Sequence, residues 1–186
     1  MFRRGFKVWC ENVALQQRRD LGLRPLDPLS PEALAGHLGI QVWRIEQIPG
    51  LSKESVDILL REDPDSWSAA TVCVDSKQAI VLNSTHSGGR PASNLAHELS
   101  HVLLSHTPAR VDVLADGVLM LNNYDRKQEE EAAWLAGCLL LPRQALYSIR
   151  QHQLTPHQAA IRYGVSRDML QYRMGVTGIN KQFGRV

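Results

Sequence analysis

The sequence predicts a small α+β domain in which leading helices are followed by a short antiparallel or mixed sheet, two packed helices and a helical C-terminal segment. Three observations predict it. Residues 91–105 and 126–141 both carry apolar side chains at helical spacing. Residues 70–75 and 78–83 are short, β-prone runs joined by a tight turn at Ser76-Lys77. Beyond Pro142 the chain turns basic and shows two short helical patterns separated by Gly164-Val165-Ser166.

The elements follow in order. A helix is expected over residues 6–21, then a proline-rich turn, Arg24-Pro25-Leu26-Asp27-Pro28, and a short helix opened by Pro31-Glu32 that ends near Gly39. Residues 40–45 read as a strand, 53–61 as a helix and Asp63-Pro64-Asp65 as a turn, followed by the strands 70–75 and 78–83. Residues 84–89 form a flexible approach to a helix whose start signal is Pro91-Ala92-Ser93-Asn94, with Ser93 or Asn94 as the expected N-cap, and which runs to about Ser105. The stretch 107–125 carries only a weak strand signal at 118–121, before the helix 126–141. No internal repeat interrupts this order, which places residues 1–142 in one domain and 143–186 in a basic helical appendage.

The chemistry lies in His97-Glu98-Leu99-Ser100-His101. Positions i and i+4 of a helix lie on one face, so His97 and His101 can reach one metal ion. Glu98 sits on the adjacent arc. There its carboxylate can take a proton from a water polarised by the metal and return it to a leaving amine. The apolar series Leu95, Leu99, Val102, Leu103 and Leu104 gives this helix a buried face able to hold ligands rigidly. A catalytic zinc site takes a third protein ligand, and Glu129-Glu130-Glu131 at the start of the next helix supplies the candidates. Glu129 shares a face with Ala132 and Ala136 and is the choice by helix phase, with Glu131 the runner-up. Zinc, one ion per chain, is the metal that two histidines and a carboxylate suit best.

With these residues in view the chain resembles the ImmA/IrrE family of metallopeptidases. The likeness runs through Ile80-Val81-Leu82-Asn83, Arg90, Leu95 to Leu104 including the histidine motif, Glu129, Glu131-Ala132, Leu135-Ala136 and Leu139-Leu140-Leu141-Pro142. It extends to Pro25-Leu26-Asp27-Pro28 and to Leu34 through Ile40. The resemblance implies a minimal gluzincin, a zincin-like fold built on a zinc helix and a glutamate helix. In that family the third ligand is the glutamate thirteen residues before the proline, which here is Glu129. One departure is Ala133, where relatives often carry Asn or Asp that could support a ligating histidine. That support must come from another residue. As donors toward the carbonyl oxygen of a substrate, Tyr124, His106 and Arg126 are the candidates.

Composition narrows the setting. The three cysteines, Cys10, Cys73 and Cys138, are odd in number and irregular in spacing, which argues against a disulfide framework and for a reducing compartment. Each is expected as a small buried residue, with one sharper alternative, that Cys10 occupies the open metal position and restrains activity. No run of apolar residues is long enough for a bilayer and the N-terminus lacks an apolar signal core, so a cytoplasmic, membrane-free protein is expected. The whole chain carries a formal charge of +2, yet residues 143–186 alone sum to +6. This segment reads as a helix-turn-helix-like unit, with Arg162, Arg167, Arg173 and Lys181 as candidate phosphate contacts, or as a helical buttress with a basic face.

The resemblance implies an endopeptidase that cleaves a helix-turn-helix transcriptional repressor encoded nearby, relieving repression after DNA damage or a mobile-element or phage-defence signal. Larger relatives add a C-terminal sensory domain for which no room is expected here, so single-stranded DNA on the basic segment is the expected activator. The rival expectation is a non-enzymatic DNA-binding regulator with a structural or vestigial zinc site. Glu98 separates the two, because a structural site has no need of a general base. A further rival is an antitoxin-like protein whose basic segment clasps an acidic partner.

Overall fold

A computed structural model describes residues 2–48, 51–62, 64–74, 77–106, 110–113, 119–122 and 125–183. Helix α1 (Phe6–Asp20) and helix α2 (Pro31–His37) lead into strand β1 (Gln41–Arg44). Helix α3 (Lys53–Asp57) continues as a π-helical turn, Ile58–Glu62, where the sequence suggests one helix throughout. Strands β2 (Ala69–Val74) and β3 (Lys77–Leu82) precede α4 (Arg90–Leu103), the histidine helix. Strands β4 (Arg110–Val113) and β5 (Leu119–Asn122) form a separate antiparallel ribbon before α5 (Arg126–Leu140), the glutamate helix. The C-terminal segment comprises α6 (Arg143–Gln151), α7 (Pro156–Tyr163), α8 (Arg167–Thr177) and α9 (Ile179–Phe183).

The main sheet has the order β1-β3-β2, with β1 parallel and β2 antiparallel to the central β3. Ala79, Ile80 and Val81 of β3 are all buried, as expected of a central strand covered on both faces. The residues between β2 and β3, at 75 and 76, lie outside the described residues, so the expected turn there is reached only through Lys77, which opens β3.

Two apolar clusters flank α4. The first joins Phe6, Cys10 and Ala14 of α1 to Leu34 of α2, Ile80 of β3, Leu95 and Leu99 of α4, and Leu135 and Leu139 of α5. The second joins Ala96 of α4 and Ala136 and Leu140 of α5 to Leu146, Ala159, Tyr163 and Leu170 of the C-terminal helices. Residues on both sides of 142 therefore build one core. With two arcs of α4 buried in these clusters, His97, Glu98 and His101 fall on the arc that remains.

Helix α4 begins earlier than its capping residues suggest. Gly89 is the N-cap and Pro91 sits in the first turn, where its missing N–H leaves no bond unmade. Ser93 lies inside the helix, and its hydroxyl donates to the Gly89 carbonyl at 2.9 Å. It also accepts a 3.2 Å hydrogen bond from the Ser166 backbone N–H, which ties the start of α4 to the turn before α8.

Buried charges secure the C-terminal helices. Arg173 of α8 is 0% exposed; it donates to the Leu141 carbonyl at 3.0 Å and pairs with Glu11 of α1. Its aliphatic stem passes over α5 at Gly137, where a Cβ would meet Arg173 Cδ at 2.7 Å. Glu11 also accepts from the Arg143 backbone N–H at 3.0 Å. Arg173 is thus corrected from a phosphate contact to an internal anchor, because its guanidinium is spent inside the fold. Arg18, also buried, donates to the Ala14 carbonyl at 3.2 Å and the Leu140 carbonyl at 3.4 Å, and desolvation lowers its pKa to about 10.

Gly89 packs against the backbone of Val165, so that a Cβ there would fall 2.0 Å from the Val165 carbonyl carbon. Because backbone cannot yield as a flexible side chain can, Gly89→Ala should cost about 3 kcal/mol, at the upper end of overpacking effects. Urea unfolding of the variant against wild type checks this, and a loss under about 0.5 kcal/mol, the range of neutral surface changes, would contradict the close contact.

Candidate metal centre

The histidine helix and the glutamate helix bring His97, His101 and Glu129 together, with one ligand atom from each inside a 4.8 Å span. His97 Nε2 lies 3.0 Å from Glu129 Oε2, His101 Nε2 lies 3.4 Å from Glu129 Oε1, and the two Nε2 atoms are 3.2 Å apart. Two imidazole nitrogens and a carboxylate facing one point form a donor set that fits a zinc ion with an open fourth position. Burial and the neighbouring His97 ring hold the His101 pKa down at about 4, so near pH 7 its ring is neutral and its lone pair is free to bind. Glu129 is held below the usual carboxylate range, first by its hydrogen bond with His97, and is ready as an anionic ligand.

Glu131, the alternative third ligand, faces another residue. Its Oε2 lies 3.5 Å from His106 Nε2, an electrostatic contact too long and poorly aligned for a hydrogen bond. His106 Nδ1 in turn lies 3.0 Å from His101 Nδ1. The network assigns the tautomers: with His101 Nε2 kept free for a metal, its Nδ1 carries the proton and donates to His106 Nδ1. The proton of His106 then sits on Nε2, toward Glu131. His106 thus supplies the support for a ligating histidine that Ala133 does not, and Ala133 instead lines a neighbouring groove. The sequence signal for this was faint. His106 lies beyond the helix end, and it turns back because Ser105 adopts a left-handed φ of 54° and the His106 N–H bonds the His101 carbonyl at 3.0 Å.

Glu98 is half-buried beside the triad, and its Oε2 accepts a 2.7 Å hydrogen bond from the Thr71 hydroxyl of β2. Burial raises the Glu98 carboxyl above its ordinary range, opposed by the Thr71 hydrogen bond. Thr71 was not identified as a site residue from the sequence; only the strand pairing places it beneath α4.

Other candidates fall elsewhere. Tyr124 lies outside the described residues. Arg126 is exposed and pairs with Glu130 at 3.1 Å, and His106 is engaged with His101. Cys10 is buried against Cys138 at the α1–α5 interface, not at the metal position, which corrects the idea that its thiol restrains the site. The Cys138 thiol is pushed far up, chiefly by its hydrogen bond with Cys10 and by burial, and is therefore inert. The side chain of Cys73 lies outside the described residues. Arg162, Arg167 and Lys181 are exposed on α7, α8 and α9.

Zinc competition against a chromophoric chelator should find one ion per chain. Affinity should fall at least about 100-fold in His97→Ala, His101→Ala or Glu129→Ala, and by about 10-fold in Glu131→Ala, which removes only outer support. Equal losses in Glu129→Ala and Glu131→Ala would mean that the third ligand is misassigned.

Comparison with known proteins bears on the fold and the family. A solved structure described as a Mycobacterium tuberculosis transcriptional regulator shares the fold at a TM-score of 0.53 and 18% identity, over 93% of this chain and 47% of that one. The chain spans about half the length of that protein. No curated protein matches. The model of the IrrE N-terminal-like domain, Peptidase_M78, matches residues 53–175, which include both ligand helices. On that match, the chain belongs to the Peptidase_M78 family.

Proposed function

We propose that the chain is a zinc-dependent endopeptidase that cleaves one specific protein, a helix-turn-helix transcriptional repressor. The observation that carries this reading is Glu98. A half-buried carboxylate beside three metal donors, fixed by Thr71 yet not itself among the donors, serves no purpose in a structural site. A zinc ion held by His97, His101 and Glu129 supplies Lewis acidity toward the peptide carbonyl and the attacking water. Glu98 takes the proton from that water and delivers it to the leaving nitrogen as the C–N bond breaks. The Thr71 hydroxyl holds the carboxylate in place through both transfers.

The outer edge of β2 has no strand neighbour among the described residues, so an extended substrate segment can pair there. Cleavage relieves repression, with DNA damage or a mobile-element or phage-defence signal as the trigger. The free, buried thiols of Cys10 and Cys138 suit a cytoplasmic setting. No helix among the described residues is long and apolar enough to cross a membrane.

A second reading rests on the +6 charge of residues 143–186, with Arg162, Arg167 and Lys181 exposed: a DNA-binding regulator in which the metal is structural. Single-stranded DNA as activator joins the two readings. Incubation with the helix-turn-helix protein encoded nearby, with and without single-stranded DNA, decides between them. Zinc-loaded Glu98→Gln should lose at least about 100-fold in cleavage rate. Metal-loaded wild type that binds DNA but leaves the repressor intact would favour the regulator.

Thr71→Val should lower kcat about 10-fold while zinc affinity stays within twofold, since it frees the carboxylate without touching a ligand. An unchanged kcat would show that Thr71 has no part in positioning Glu98.

A further inference from the structure

A groove of about 920 Å³ runs from His97 to the turn between α7 and α8. One wall is the start of α4, with Arg90 and Asn94; the other is C-terminal, with Ile161, Val165, Arg167 and Tyr172. The walls are fused, because the Ser166 N–H bonds Ser93 Oγ and Gly89 lies against the Val165 backbone. Arg173, buried beneath α8, fixes the second wall from behind. The segment that reads from sequence as a DNA-binding module is therefore also one side of the groove that leads to the metal centre.

The chemistry of that side selects an occupant. Ile161 is 68% exposed, an isoleucine left largely uncovered by the described residues. Arg167 is exposed beside it, its Nη2 3.3 Å from His157 Nδ1, and no ion pair holds it among the described residues. Across the groove Arg90 pairs weakly with the exposed Asp65 at 3.3 Å. The lining thus holds two arginines against one carboxylate, Asp168.

The geometry points to the α7–α8 wall as the specificity subsite of the peptidase. It receives a segment of substrate chain beside the scissile bond, with an apolar side chain packed on Ile161 and an acidic one paired with Arg167. This rests on the proteolytic reading above. An apolar wall carrying one arginine next to one carboxylate, and opening onto His97, suits a peptide better than a phosphate backbone, which asks for repeated cations and no carboxylate.

Fluorescence anisotropy with zinc-loaded Glu98→Gln protein tests it without turnover. Three dye-labelled decapeptides serve as probes: central leucines flanked by glutamates, the same leucines flanked by lysines, and the glutamate peptide with serines in place of leucines. The glutamate–leucine peptide should bind at least tenfold tighter than either of the others. Adding Arg167→Glu should reverse the charge preference toward the lysine peptide, with circular dichroism and zinc content confirming an intact fold. Equal binding of all three, no binding, or a glutamate preference untouched by Arg167→Glu overturns the proposal. So does displacement of the peptide by dye-free single-stranded DNA that depends on Arg167, which would give the groove to nucleic acid. Cleavage of the helix-turn-helix protein encoded nearby, by protein with Glu98 intact, is scored separately. Charge-selective binding without cleavage leaves the subsite standing and removes the proteolytic reading; cleavage without charge selectivity does the opposite.

Discussion

Helices α4 and α5 approach along small side chains, Ala96 on one and Ala136 on the other, within a shared apolar cluster. That approach decides whether two imidazoles on the first helix and a carboxylate on the second can address one cation. A contact of 3.0 Å between His97 and Glu129 tolerates little change in helix spacing, so the packing on either side of the pair must be firm. It is firm on both sides: α1, α2 and β3 press on one arc of α4, and the C-terminal helices press on the next. Ligand geometry here is a property of the core rather than of a loop.

Polar groups extend the same arrangement outward. His101 is oriented by His106, whose ring is placed by a left-handed residue at the helix end and faces Glu131. Glu98 is oriented by a hydroxyl from a strand rather than by its own helix. Glu98 is thus gripped by an element different from the one that carries it, and His101 by the turn that ends its own helix.

Much of this was legible in the sequence, for identifiable reasons. The two ligand helices announce themselves through apolar periodicity, and the spacing of His97 and His101 fixes a shared face whatever the tertiary context. Helix phase sufficed to prefer Glu129 over Glu131, because Ala132 and Ala136 mark the buried side. What the sequence hid depends on contacts across the chain. Thr71 reaches Glu98 only because β2 lies beneath α4, and no local pattern encodes that. Arg173 looked like a surface cation because charge is usually solvated; its burial depends on Glu11, 162 positions away. The strand pair β4–β5 was half visible, with only the second member carrying a strand signal. The cap of α4 was misplaced because Ser93 resembles a capping residue, yet spends its hydroxyl on Gly89 and Ser166.

Glu11 has a consequence for how such proteins can be rearranged. It accepts from Arg173 in α8 and from the backbone at Arg143, while its own helix lies at the opposite end of the chain. The last forty or so residues therefore do not form an exchangeable cassette, although their basic composition and helix-turn-helix outline suggest one. A graft of a foreign C-terminal segment onto residues 1–142 would leave the half-buried Glu11 carboxylate without its cation, and removing one partner of an ion pair that is shielded from water is destabilising. A chimera that alters the second half has to alter the first helix with it, so the two ends of this chain are constrained to change as a pair.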